Sequence, residues 1–272
     1  LSRGQIKMGD PVNFTVPTGN FGDILAGYLA KKLGLPVGKL ICASNRNNVL
    51  TDFFESGTYY THRTFFKTMS PSMDILVSSN LERLLFEYAD RDPAVVKGWM
   101  QQLKECGSFS IGAQRLEEIR KVFWADYADD AMTAEEIRRV HDRYRYVMDP
   151  HTAVASHALQ NYRMKTGDRA PAVILATASP YKFGEDVLSS LLGKEAVAGM
   201  DAFACAEKLQ EISGVAIPKQ VSQLGQRMEG LQELCASNVP AKIAIIYDFE
   251  KSSEKPIIKF SLFIFSFLNF SI

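Results

Sequence analysis

Short apolar runs punctuated by turn residues dominate the first part of the chain, and helical periodicity dominates the middle. Residues 12–16, 39–43, 74–77 and 172–177 are apolar runs bounded by Pro, Gly, Ser or Asn. Runs of that length predict parallel strands covered on both faces. Between the first two, Ile24, Leu25, Tyr28, Leu29 and Leu33 recur at near-helical spacing, and Gly34 offers a left-handed stop. That is a β-α-β unit, right-handed by the general rule for such crossovers. A further helix is expected over 48–54, ending near Gly57.

From residue 80 the pattern turns helical. Ser79-Asn80-Leu81-Glu82 has capping-box spacing, and Leu81, Leu84, Leu85 and Tyr88 follow on one face. Asp92-Pro93 restarts a helix with Pro93 at its first position, and at Asp149-Pro150 a proline suited to that position follows a capping carboxylate. Thr133-Ala134-Glu135-Glu136 predicts another start, with Ile137, Val140 and Tyr144 turned inward. The chain therefore divides into an α/β segment (1–79), a helical insertion (80–167) and a return to α/β structure (168–220), with a helix over 201–213. Residues 221–272 are poorly defined and end in a Phe-rich stretch, 257–272, whose one charge is Lys259. Its length falls short of the ~20 residues a membrane-spanning helix needs, and it reads as an aberrant hydrophobic tail.

Composition narrows the function classes. With 272 residues there is core enough for one large α/β domain or two smaller ones. Lys plus Arg and Asp plus Glu each number 31, a balance that disfavours nucleic acid and membrane surfaces as partners. Cys42, Cys106, Cys205 and Cys235 lack CxxC pairing, so free thiols in a reducing, cytoplasmic setting are expected. His62, His141, His151 and His157 lack metal-ligand spacing, and no metal is expected.

Candidate chemistry gathers at strand ends. Gly19 and Gly22 bracket Asn20 and Phe21 between the first strand and its helix, with Asp23 in the first helical turn. Glycines there permit close backbone approach and positive φ, and free amides at a helix start hold anions. An ordinary strand-to-helix turn is the competing reading. The spacing matches neither GxxxxGK[ST] nor GxGxxG, which disfavours nucleoside triphosphates and dinucleotides. Thr177 and Ser179 share one face at the end of the last apolar run, and Lys182 follows; they either line a crevice or merely terminate a strand and cap a helix. His151 is a further crevice candidate, with a satisfied, half-buried histidine as the competing reading, and so is the loop with Asn45, Asn47 and Asn48.

Pro17-Thr18-Gly19-Asn20-Phe21-Gly22-Asp23-Ile24-Leu25-Ala26-Gly27-Tyr28 resembles the phosphate-binding motif of the threonine synthases. Six further stretches are similar to the same family in the same order. They are Lys39 to Asn45, Asn48 to Phe54, Ser70 to Ile75, Ser78 to Arg83, Asp149 to Ala153 and Thr177 to Phe183. The resemblance implies a three-layer parallel α/β fold of the fold-type II pyridoxal-phosphate enzymes, carrying a helical insertion and lacking its N-terminal part. It implies pyridoxal 5'-phosphate as cofactor and conversion of O-phospho-L-homoserine and water to L-threonine and phosphate. Gly19, Asn20, Phe21, Gly22 and Asp23 would cradle the cofactor phosphate and Thr177 would face its pyridine nitrogen. Lys182, Asn45 and His151 would meet substrate. The Schiff-base lysine is expected upstream of residue 1, so the chain alone is expected to be inactive, and a monomer or homodimer is left open. A scaffold on the same fold, or another fold-type II lyase, is the alternative. Beyond Leu234 the resemblance is expected to fail.

Overall fold

A computed structural model describes residues 4–224. Two strands form the centre of its main sheet, β1 (Val12–Pro17) and β2 (Val37–Ser44), joined by helix α1 (Gly22–Lys32). They pair in parallel from Val12 opposite Val37 to Pro17 opposite Ala43. Helix α2 (Val49–Ser56) stops at Gly57, where its end was expected, and Gly57 takes a left-handed φ of 73°. A small antiparallel ribbon pairs β3 (Thr58–Tyr60) with β4 (Ser108–Ser110). Around it pack α3 (Leu81–Tyr88), α4 (Pro93–Cys106) and α5 (Ala113–Val122).

The main sheet runs β5-β2-β1-β6, where β5 spans Phe123–Tyr127 and β6 spans Ala172–Ile174. Strand β5 corrects the expected helical insertion over 80–167, because it pairs in parallel with β2 from Leu40–Phe123 to Ser44–Tyr127. The stretch is mostly helical but belongs to the sheet. The segment 74–77 forms no strand. The carboxylate of Asp74 accepts from Asn45, Asn47 and Thr68, and the Ile75 amide turns back to the Met73 carbonyl at 2.9 Å. Chain folded onto itself in this way offers no ladder to a neighbour. Strand β6 is also shorter than expected: the Leu175 amide still reaches the Thr15 carbonyl at 3.0 Å, and then the chain turns toward Pro180.

Long helices complete the molecule: α6 (Asp130–Tyr144), α7 (Pro150–Thr166), α8 (Gly184–Leu192), α9 (Ala202–Ser213) and the single turn α10 (Lys219–Ser222). Helix α6 begins at Asp130 under an Asp129 cap, not at Thr133, whose hydroxyl is spent on the Asp129 carbonyl. Ile137 and Val140 are buried as expected, whereas Tyr144, in the last turn, is exposed. In α1, Ile24, Leu25 and Tyr28 are buried while Leu29 and Leu33 face solvent.

The sheet separates two cores. On one face Leu40 and Cys42 pack with Phe21, Tyr28, Phe53, Phe54 and Phe123. On the other, Ile41 and Ala43 meet Val154, Ala155 and Ala158 of α7, where small side chains let the helix lie close. Helices thus cover both faces, the three-layer arrangement expected. A third cluster joins α6, α8 and α9 through Ile137, Val187, Leu188 and Leu209. Cys42, Cys106 and Cys205 are free thiols, and burial pushes that of Cys42 up to about 12. Among the described residues no helix is long and apolar enough to cross a membrane. Cys235 and the Phe-rich stretch lie outside the described residues.

Candidate functional site

Strand β1 ends at the carboxyl edge of the sheet, where the Thr18 amide donates to the Ala43 carbonyl at 2.8 Å. Gly19, Asn20 and Phe21 then turn the chain into α1. The positive φ expected of the glycines falls instead on Phe21, at 66°. Its ring explains why. It is 1 % exposed and lies 6.1 Å from the Phe54 ring and 5.8 Å from that of Phe123. Burying a phenylalanine contributes about 1.5–3 kcal/mol, enough to offset the roughly 1–2 kcal/mol of a left-handed residue. Phe21 therefore offers a ligand its backbone only.

Gly19 meets a separate demand. A Cβ there would stand 2.9 Å from the Ser72 carbonyl oxygen and 3.1 Å from the Met73 Cα, so only glycine fits against this backbone wall. At Gly22 a Cβ would meet the Asn80 side-chain nitrogen at 3.4 Å, an ordinary contact.

Residues 78–80 fasten the turn from outside. The Ser78 hydroxyl donates to the Gly19 carbonyl at 2.8 Å. The Ser79 amide and hydroxyl donate to the Asn20 side-chain oxygen at 2.7 and 2.8 Å. The Asn80 amide and side chain donate to the Asn20 carbonyl at 3.3 and 2.9 Å. The predicted capping box does not form, because Ser79 is committed to Asn20, and α3 starts at Leu81 without a side-chain cap. Sequence reasoning missed this clasp, although Ser78-Ser79-Asn80 is a conspicuous run of short polar residues.

The acceptors of the turn are thereby occupied while its donors are not. Among the described residues, the amides of Gly19, Asn20, Phe21, Gly22 and Asp23 donate to no acceptor in the turn or cap. Asn20, Gly22 and Asp23 are exposed, so these three residues face solvent at the positive end of α1. Free donors at a helix start are the arrangement that can hold a small dianion.

Strand β6 lies beside β1, and Thr177 follows its last pairing at the same carboxyl edge. Thr177 is exposed. Ser179 caps the next turn, its hydroxyl accepting from the Tyr181 amide at 3.4 Å, and Lys182 stands exposed within that turn. The turn at 19–23 and the segment 177–182 thus share one edge of the sheet.

Two further candidates, Asn45 and His151, have their side chains engaged by protein atoms. The Asn45 side-chain nitrogen donates toward Thr68 and Asp74 at 2.8 Å, and its oxygen accepts from the Asn47 amide at 2.9 Å. It is 1 % exposed and serves to tie the end of β2 to residues 66–74. His151 is 2 % exposed with both ring nitrogens engaged. Nε2 accepts the Ser72 amide at 3.3 Å, which leaves the proton on Nδ1, 3.1 Å from the Asp149 carboxylate. Burial pushes the Asp149 pKa up, but hydrogen bonds from His151 and Thr152 outweigh it and hold the carboxyl below its usual range.

A cavity of about 300 Å³ lined by Phe54, Arg120, Trp124 and Lys165 lies by the amino end of β5, away from this edge. Among the described residues no group of three His, Cys, Asp or Glu side chains is arranged to hold a metal ion.

The resemblance to the threonine synthases holds. A family model described as threonine synthase, C-terminal, matches residues 152–246, and so continues past Leu234, where the similarity was expected to end. Threonine synthase of Pseudomonas aeruginosa is 43% identical over 192 residues, 70% of this chain and 40% of that protein. A crystal structure of PLP-bound threonine synthase from Brucella melitensis superposes with a TM-score of 0.65 at 42% identity, covering 79% of this chain and 44% of the other. The yeast enzyme gives a TM-score of 0.68 at 34% identity, covering 79% and 43%. The chain thus spans about two fifths of the length of these relatives.

Proposed function

We propose, with kinship to the threonine synthases as the premise, that residues 19–23 hold the phosphate of pyridoxal 5'-phosphate. In this reading the chain contributes that site to the conversion of O-phospho-L-homoserine and water to L-threonine and phosphate. One observation carries it: the turn at 19–23 has its acceptors occupied and its donors open, on the same sheet edge as Thr177.

The bound cofactor would supply an electron sink for carbanions at the substrate carbons. The chain's own residues bind and orient. The amides of Gly19 to Asp23 grip the phosphate, aided by the start of α1. Ser79 fixes the Asn20 side-chain oxygen, which leaves the Asn20 side-chain nitrogen as a further donor. Thr177 offers the pyridine nitrogen a neutral hydroxyl, and Lys182 offers a cation to an anionic substrate group. Lys31 and Lys32 have no covalent role in this scheme. The Lys31 ammonium donates to the Val37 and Gly38 carbonyls at the amino end of β2, and Lys32 pairs with Glu87.

Titrating the purified 272-residue chain with pyridoxal 5'-phosphate and with pyridoxal tests the site. A preference of about tenfold or more for the phosphorylated form, relieved by inorganic phosphate, is expected. Equal affinities would refute the phosphate site. With phosphohomoserine and cofactor, threonine should not exceed the cofactor-only control; turnover above it would overturn the absence of a covalent catalyst.

A further inference from the structure

The geometry points to the buried Asp149–His151 pair as the device that positions the phosphate cradle against the 179–183 segment. This rests on the cofactor site proposed above. Asp149 caps α7, accepting from the His151 amide at 2.9 Å, the Thr152 amide at 3.3 Å and the Thr152 hydroxyl. It is 1 % exposed, and two turns of α7 behind it are packed against the sheet. A helix start anchored so firmly is a rigid base for the imidazole two residues on.

From that base the His151 ring reaches two places. Nε2 accepts the Ser72 amide at 3.3 Å, and the ring centroid lies 4.9 Å from that of Phe183. The residue held by the first contact is the one whose carbonyl walls off Gly19. Phe183 ends the turn that carries Lys182. One imidazole thus stands behind both halves of the site while its nitrogens remain committed to protein atoms. It is a positioning residue, not a catalytic one. A shift of Ser72 would move the backbone wall beside Gly19, where there is no room for a Cβ.

His151→Leu keeps the bulk and removes the acceptor; His151→Gln restores an acceptor near the Nε2 position. The reading is the ratio of pyridoxal to pyridoxal-phosphate dissociation constants for the 272-residue chain. His151→Leu should lower that ratio about tenfold by weakening the phosphorylated form alone, and His151→Gln should recover most of it. A purely structural role would weaken both ligands alike and leave the ratio unchanged, which would overturn the inference. The wild-type chain supplies a measurement that needs no variant: inorganic phosphate should slow hydrogen exchange at the Ser72 amide, by linkage. Unchanged exchange at saturating phosphate would also overturn it. If the wild-type chain itself failed to discriminate the two ligands, the cofactor site would fall first. Discrimination retained in His151→Leu would remove the positioning role alone.

Discussion

A methyl group at position 19 has nowhere to go. It would lie 2.9 Å from the Ser72 carbonyl oxygen, a backbone atom that cannot swing away like a side-chain tip. Gly19→Ala should therefore cost about 1–3 kcal/mol in urea unfolding and weaken pyridoxal-phosphate binding about tenfold. Stability and binding both at the wild-type level would show that the turn is not packed as described. At this scale the sequence is informative where the cause is local. The Gly19–Gly22 spacing, the Asp149 cap and the left-handed Gly57 all depend on residues a few positions apart. The partners of Asn45 and His151 were not legible in it, because Asp74 and Ser72 lie 29 and 79 residues away.

Between elements, the α6–α7 contact hinges on one buried carboxylate. Glu136 is 3 % exposed and accepts from Arg139 at 2.7 and 2.8 Å, from the Ser156 hydroxyl and from the Gln160 side chain. Burial raises its pKa, but the hydrogen bonds from Arg139, Ser156 and Gln160 prevail and hold it below the ordinary value. A carboxyl depressed on folding contributes stability above its unfolded pKa, about 4.3, and loses it as pH falls through the lower folded value. Asp149 acts with the same sign. Glu136→Gln should cost about 1–3 kcal/mol at pH 6. It should also flatten the fall in stability measured by urea unfolding from pH 6 to 3. An acid slope as steep as wild type would assign the loss to other groups. The element pattern concealed β5 for a related reason: Phe123-Trp124-Ala125-Asp126-Tyr127 lies between two strongly helical stretches and carries no breaker of its own.

For the molecule as a whole, β5 decides how residues 80–167 behave. Strand β5 pairs with β2, and Phe123 packs against Phe21, Tyr28 and Phe54, so this stretch shares its core with residues 1–79. Phe123→Ala should lower stability by about 3–5 kcal/mol. Unfolding should stay a single transition whether followed by tryptophan fluorescence at Trp99 and Trp124 or by far-ultraviolet circular dichroism. A separate transition for the helical stretch would restore the insertion as an independent unit.

By itself the sequence determined the class of the fold, the unit of β1, α1 and β2, the glycine turn and the family likeness. All of these are written in short-range spacing and in contiguous motifs. Tertiary structure alone decided that Ser79 clasps Asn20 in place of capping α3, that β5 completes the sheet, and that His151 accepts the Ser72 amide. Each is a choice among chemically equivalent hydrogen-bond or packing partners. Such choices are settled by which surfaces the folded chain brings within about 3 Å of one another, and not by the residue types along it.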